Sequence, residues 1–298
     1  MGGSSFIYRG TVTYPTCNDI VKVAVKAIRC NSTNDDPVYI KTLRRRLSQE
    51  SAAWSTFSHK NIIPLLGLAQ DPALSGIVPV MVSPWCNNGT VLHFVQKYPE
   101  TQRIPLIKGV ASGLHYMHCL DAVHGDIKSA NILISDDFRP LLTDFGFSKI
   151  LYRREFDADP EFTLQYAAPE ILGLPVENEG AGGNGQERIV STKETDVWAF
   201  GMVGAEVRFS LYASLGTTQA LADVKRSLFS QIVGGQEVFA RVPLLHLLPF
   251  VLKGGRPKKA DFPNISGDAD AVWSLLEMCW NHDPGLRPTM EDILRSLS

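Results

Sequence analysis

Residues 124–146 read H-G-D-I-K-S-A-N-I-L-I-S-D-D-F-R-P-L-L-T-D-F-G, with polar side chains at Asp126, Lys128, Asn131 and Asp144. Two short apolar runs, 132–134 and 141–142, stand between Asn131 and Asp144. They predict the strands of a hairpin closed near 135–137, since strands joined by a short polar turn pair with each other. Such a hairpin brings Asn131 and Asp144, at its two open ends, close together. Two oxygen-bearing side chains held that way suit Mg²⁺, a hard cation that takes carboxylate and amide oxygens and shares its shell with substrate phosphates. Asp126 then sits beside a metal-bound phosphate, where a carboxylate can orient and deprotonate an attacking hydroxyl, and Lys128 can neutralise phosphoryl charge. The chemistry implied is phosphoryl transfer.

At these residues the stretch resembles the protein kinases: His-x-Asp at 124–126, Asn131 five residues on, and Asp-Phe-Gly at 144–146. Any one triplet could occur by chance, whereas the ordered set is specific. The resemblance implies ATP and Mg²⁺ as cofactors, Asp126 and Lys128 as the catalytic pair, Asn131 and Asp144 as metal ligands, and Leu133 against the nucleotide. It makes His124 a scaffold that bonds the loop backbone and stacks on Phe145, not a base. Gly125 stands where the family usually has the arginine that receives an activation-loop phosphate, which implies weak or absent switching by loop phosphorylation.

The rest of the 298-residue chain is 44% hydrophobic and 20% charged, a composition for a soluble globular protein of one large domain or two lobes. Its 29 basic and 31 acidic residues leave a net charge of -2, so bulk electrostatics point neither to nucleic acid nor to an anionic membrane. No apolar run approaches the ~18 residues that span a bilayer, and the start has no signal-peptide pattern. The cysteines at 17, 30, 86, 119 and 279 are scattered and odd in number, with no Cys-x-x-Cys pair. That fits reduced thiols and an intracellular, cytoplasmic protein without a zinc site.

In the amino-terminal part, V-K-V-A-V-K-A-I at 21–28 alternates as a strand does and carries Lys26 near its end. By resemblance, Ala24 and Lys26 belong to the Val-Ala-x-Lys strand whose lysine grips the α and β phosphates. Residues 38–58 predict a helix with apolar positions at Ile40, Leu43, Leu47, Trp54 and Phe57. Glu50 lies on it, and the resemblance makes it the carboxylate that holds Lys26, with Trp54 packing beneath the nucleotide. The Gly-rich loop that covers the phosphates is short here. Aligning Ile7–Gly10 with the strand after that loop puts Gly3 at the second glycine and Ser5 at the third, leaving the preceding strand missing. That implies either a clipped chain or a fold with impaired ATP binding.

The strand at 80–82 ends in S-P-W-C-N-N-G at 83–89, a turn-rich linker that resembles the hinge between two kinase lobes. It puts Ser83 in the gatekeeper position, the Pro84 carbonyl against the adenine amino group, and the Cys86 backbone against the ring. Helices are expected over 90–98 and 104–120, with His93, His115 and His118 structural because no carboxylate stands at ligand spacing from them. Further on, Thr163 resembles the threonine that bonds the catalytic aspartate, Asp196 the anchor of the catalytic-loop backbone, and Arg287 the buried partner of Glu170. Residues 174–189 read as a Gly- and Asn-rich surface loop, and 211–247 as an insertion with helical signal at 220–232.

The expected fold is α+β: a two-lobed kinase domain over 1–298, with a small β-rich lobe at 1–82 carrying one long helix, the hinge at 83–89 and a mainly helical lobe at 90–298. Lys128, two residues past the base, is the serine/threonine pattern, and the tryptophans near 85, 198 and 280 resemble the tyrosine-kinase-like group of those kinases. The expected partner is a protein bearing an acceptor serine or threonine. The alternative is a pseudokinase scaffold that binds nucleotide or protein without transfer. Oligomeric state is not written in the chain.

Overall fold

A computed structural model describes residues 5–13, 19–28, 37–70, 79–147, 149–150, 164–172, 191–209, 244–259 and 269–298. Gly3, Thr163, the segment 174–189 and residues 211–243 lie outside them.

The alternation seen at 21–28 becomes β2 (Ile20–Ile28), paired antiparallel with β1 (Ser5–Thr13) so that Ile7 stands opposite Lys26 and Arg9 opposite Ala24. After α1 (Pro37–Ser55) come β3 (Gly67–Ala69) and β4 (Val80–Pro84), which complete a sheet in the order β1-β2-β4-β3. Ser83 faces Ala24 across the β2/β4 ladder. Residues opposite one another, and those two apart on one strand, share a face. The register therefore gathers Ile7, Ala24, Lys26 and Ser83 on one side of the sheet. Helix α1 buries Leu43, Leu47, Glu50, Ala53 and Trp54, a stripe at helical spacing. Glu50 is the one charged side chain in it.

The remainder is mainly helical. The Thr90 side chain caps α2 (Val91–Lys97) by accepting from His93 N. Helix α3 (Arg103–Cys119) buries Leu106, Ile107, Val110, Leu114 and Met117, and leads into β5 (Ala122–Val123). The decisive stretch then forms β6 (Ile132–Ile134) and β7 (Pro140–Leu142), while β8 (Lys149–Ile150) returns to pair with β5. Short α4 (Pro169–Leu172) precedes α5 (Lys193–Phe209), α6 (Leu244–Leu252), α7 (Ala269–Cys279) and α8 (Met290–Ser296). One continuous core runs from Leu43 and Trp54 through Leu114, Ile132, Phe145 and Trp198 to Ile293.

The β6/β7 hairpin beds directly on α3. A Cβ at Gly109 would lie 2.5 Å from Pro140 Cγ, and one at Gly113 would lie 2.9 Å from Leu142 Cδ1. Only glycine lets strand and helix approach so closely. Among the described residues no helix is long and apolar enough to cross a membrane.

Candidate active site

Ile132 pairs with Leu142 and Ile134 with Pro140, so the hairpin forms where the apolar runs predicted it. Its turn is longer than 135–137, because Ser135 N donates to Arg139 O at 2.9 Å. At the open end Thr143 N donates to Asn131 O at 3.0 Å, which fixes Asn131 near the start of the Asp-Phe-Gly stretch. Asn131 Nδ2 donates to Asp126 O at 2.8 Å and to Asp126 Oδ2 at 2.9 Å. Lys128 Nζ donates to the same Oδ2 at 2.7 Å. Both donors converge on one carboxylate oxygen, which leaves Oδ1 for an incoming hydroxyl. Burial raises the Asp126 carboxyl above its ordinary range; Lys128 opposes the shift without cancelling it, and the Asp144 charge adds to it.

From the sheet, Lys26 Nζ reaches Glu50 Oε1 at 2.5 Å and Asp144 Oδ1 at 2.7 Å. Burial alone would lower the lysine, but the two carboxylates overcome it and hold the ammonium above its ordinary value. For Asp144, burial is outweighed by the Lys26 charge and hydrogen bond, so its carboxyl is lowered and stays ionised. Burial pushes Glu50 up against the pull of the same ammonium. Asp144 holds φ 69°, a left-handed conformation uncommon for a side-chain-bearing residue. Phe145 behind it is buried against Trp54 at 5.7 Å, Phe57 at 5.3 Å and His124 at 5.4 Å between ring centres. Trp54 also donates to Ile63 O at 2.7 Å.

His124 accepts from Asp126 N at 3.3 Å on Nδ1, and its Nε2 lies 3.1 Å from Thr143 O. That network assigns the proton to Nε2. The ring serves the scaffold role expected of it, although it is tilted by 52° on Phe145 and not stacked. Asp196, from the first turn of α5, accepts from His124 N at 2.8 Å and from Gly125 N at 2.9 Å, so it anchors the loop. Gly125 itself holds φ 80°.

Two contacts escape a reading of the sequence. His118, expected to be structural, has Nε2 3.0 Å from Asp196 Oδ2. Glu206, buried on α5, accepts from Tyr166 OH at 2.8 Å and from Ser129 Oγ, tying the loop next to Lys128 to the stretch before α4. Both pairs join residues 40 or more apart, and no local pattern announces them. The sequence signal that was available for Glu206 is its charge within the apolar α5.

On the face of the sheet that carries Lys26, Ser83 is buried beside Ala24, and Leu133 points to the opposite face of β6 from the fully buried Ile132 and Ile134. Ile7 is 59% exposed on β1. At the linker, Trp85 N donates to Lys22 O at 3.1 Å, and Cys86 O accepts from Gly89 N at 3.2 Å while keeping its second lone pair. Burial, then the Asp136 charge, pushes the Cys86 thiol up to about 11, so it is an ordinary small residue and not a reactive thiol.

A family model described as protein kinase domain matches residues 9–297. The chain belongs to that family. Among curated proteins, this kinase domain is 28% identical over 314 residues to "L-type lectin-domain containing receptor kinase IV.2" of Arabidopsis thaliana, covering 99% of the chain and 39% of that protein. It is 26% identical over 310 residues to "L-type lectin-domain containing receptor kinase I.7" of the same plant, covering 100% of the chain and 39% of that protein. It is 24% identical over 307 residues to the human "Ephrin type-A receptor 8", covering 99% of the chain and 25% of that protein. The chain thus spans less than two-fifths of each of these relatives.

The donor set suits Mg²⁺. Asn131 spends its amide nitrogen on Asp126, which leaves its carbonyl oxygen, and Asp144 meets Lys26 through Oδ1, which leaves Oδ2. Among the described residues no group of three or more His, Cys, Asp or Glu could cage a metal. Asn131 and Asp144 could each offer one oxygen to an ion that completes its shell with phosphate and water.

Proposed function

We propose that this kinase domain transfers the γ-phosphoryl group of ATP to a serine or threonine hydroxyl of a protein. The observation that carries the reading is a pair of hydrogen-bonded clusters, Lys26 with Asp144 and Lys128 and Asn131 with Asp126, brought together where Thr143 N, next to Asp144, donates to Asn131 O. Lys26, held by Glu50, neutralises the α and β phosphates. The adenine lies between Ala24 and Leu133, under Ile7 of β1, against a hinge at 83–89 that offers Ser83, Pro84 and Cys86, and the resemblance adds Gly3 to the phosphate-covering loop. Residues 1–82 and 90–298 form the two lobes on either side of that hinge.

Asp126 orients the acceptor hydroxyl on Oδ1 and takes its proton as the oxygen bonds to the γ phosphorus. The bond from that phosphorus to the β–γ bridging oxygen breaks, and its electrons leave with ADP. Lys128 balances charge on the moving group. Mg²⁺ on Asn131 and Asp144 supplies charge neutralisation at the phosphates. Preference for serine or threonine rests on Lys128 and its bond to the base, and use of ATP with scattered cysteines supports an intracellular, cytoplasmic place of action.

The test is transfer of labelled γ-phosphate to a generic Ser/Thr protein and to a tyrosine peptide, with Mg²⁺, alongside Asp126→Asn. Label on serine or threonine that disappears in the variant is expected. A folded chain that binds ATP and transfers nothing would overturn the enzyme reading in favour of a scaffold.

A further inference from the structure

At the end of α6 lies an open cleft of about 650 Å³, lined by His246, Phe250, Lys253, Arg256, Pro257 and Lys258. Among the described residues that line it there is no carboxylate. Lys253 and Lys258 are exposed. Among the described residues no ion pair neutralises Lys253, Arg256 or Lys258, whereas neighbouring Lys259 is taken by Asp270. Arg256 is held in place without being neutralised. Its guanidinium donates to Trp280 O at 2.7 Å and to Gly255 O at 2.8 Å, and lies 4.5 Å from the centre of the Trp198 ring. Burial, then the nearby Arg287 charge, lowers its pKa, which Glu170 only partly offsets. The turn between Lys253 and Arg256 is also fixed: Gly254 holds φ 85°, which favours glycine, and Gly255 N donates to Phe250 O at 2.8 Å.

Three cations without carboxylate partners, within six residues, make a positive patch on a chain of net charge -2. Phe250 and Pro257 give the same cleft an apolar wall. A volume of this size exceeds what a lone anion fills and admits several side chains. Its complement is an extended segment that carries carboxylates around an aromatic residue. The cleft also stands close to the acceptor side of the base. Helix α4 packs against α6, and Ile171 of α4 lines a small pocket together with Asp126 and Tyr166.

We propose that this cleft docks an acidic segment of the protein substrate, apart from the hydroxyl that Asp126 receives. Carboxylates of the segment meet Lys253, Arg256 and Lys258, and its aromatic residue lies against Phe250 and Pro257. The assignment rests on the phosphoryl-transfer reading above and adds substrate choice to it. A second anchor raises the effective concentration of the acceptor segment at the base, so it lowers KM and leaves kcat alone.

Two probes keep docking and transfer apart. The first is a dye-labelled peptide, Asp-Glu-Asp-Phe-Asp-Glu-Asp, which has no acceptor hydroxyl and is followed by fluorescence anisotropy. It should bind the wild-type chain at least tenfold more tightly than Lys253→Glu/Lys258→Glu, whose melting temperature should be unchanged because both lysines are exposed. Replacing the phenylalanine of the peptide by serine should weaken binding at least threefold. Equal binding to wild type and variant overturns the proposal. So does equal competition by inorganic phosphate or a single-stranded DNA oligonucleotide, since the cleft is then a general anion site. The second probe is a serine acceptor peptide joined to the acidic peptide, at either end, by a flexible ten-residue linker with a reach of roughly 33 Å. One of the two joined forms should show a KM at least tenfold below that of the same peptide with a neutral tail, and the advantage should vanish in the variant, which phosphorylates the tail-free peptide as the wild type does. Tails without effect on KM in either order overturn substrate docking. Acidic-peptide binding by a chain that transfers nothing supports the cleft and sinks the transfer reading instead.

Discussion

Asp126 accepts from both Lys128 and Asn131 on one oxygen, in a setting where burial holds its carboxyl above the ordinary range. A base must be ionised to act, so the acidic limb of the kcat/KM profile should fall above the ordinary aspartate range, checked by assay from pH 4 to 8. The same shift bears on stability. A group whose folded pKa exceeds its unfolded value contributes stability below the unfolded pKa and loses it as pH rises through the folded one. At neutral pH the buried charge is thus a burden, and Asp126→Asn should melt no lower than wild type while losing transfer. Lys26 is the reverse case. Lys26→Met strips Glu50 and Asp144 of their shared cation, with an expected loss of about 3 kcal/mol, as for a buried pair broken from one side. Denaturant unfolding should show part of it recovered in Lys26→Met/Glu50→Gln; no recovery would mean that the carboxylates find other partners.

At the scale of single elements, much of the site could be read in advance. The hairpin was visible because two apolar runs flank a polar turn, and α1 because Leu43, Leu47 and Trp54 repeat at helical spacing. Glu50 was legible as an acid within that stripe. The contacts that hold the catalytic loop from below were not, since His118 and Asp196 are 78 residues apart and meet only after α3 packs on α5. Ser129 and Glu206, 77 apart, are a second such pair. Periodicity says which face of a helix is buried but not which buried polar group answers another. The β2/β4 ladder carries its own prediction. Ser83 is 6% exposed opposite Ala24, and in the proposed nucleotide site so small a side chain would leave space behind the purine. Purine inhibitors enlarged at that edge should bind the wild type and lose at least tenfold in affinity to Ser83→Phe, measured by calorimetry; unchanged affinity would remove residues 83–89 from the nucleotide site.

Across the whole molecule, the end of the active-site segment is tied to the helical core by one arginine. Arg287 Nη1 and Nη2 donate to Glu170 Oε1 and Oε2 at 2.6 and 2.8 Å, a bidentate pair, while Nη1 also reaches Glu194 O and Nε reaches Asn281 O, each at 2.9 Å. Its guanidinium lies 5.1 Å from the centre of the Trp198 ring. This one side chain therefore joins α4, the start of α5 and the stretch after α7. The Arg287 side chain is fully buried, whereas that of Glu170 is 30% exposed, so the two ends of the pair are not equivalent. Removing Glu170 leaves a buried cation with only carbonyl partners, and Glu170→Ala should lose about 3 kcal/mol, the lower end for a pair broken singly. Glu170→Gln keeps an acceptor and should lose roughly half as much. For a chain of this size a loss of about 3 kcal/mol lowers the melting temperature by roughly 5 °C. Because neither atom of the pair touches Asp126, transfer per folded molecule should stay within a few-fold of wild type. Transfer lost at an unchanged unfolding midpoint would instead place Glu170 in the chemistry, and the pair would no longer be the clamp between the site and the core.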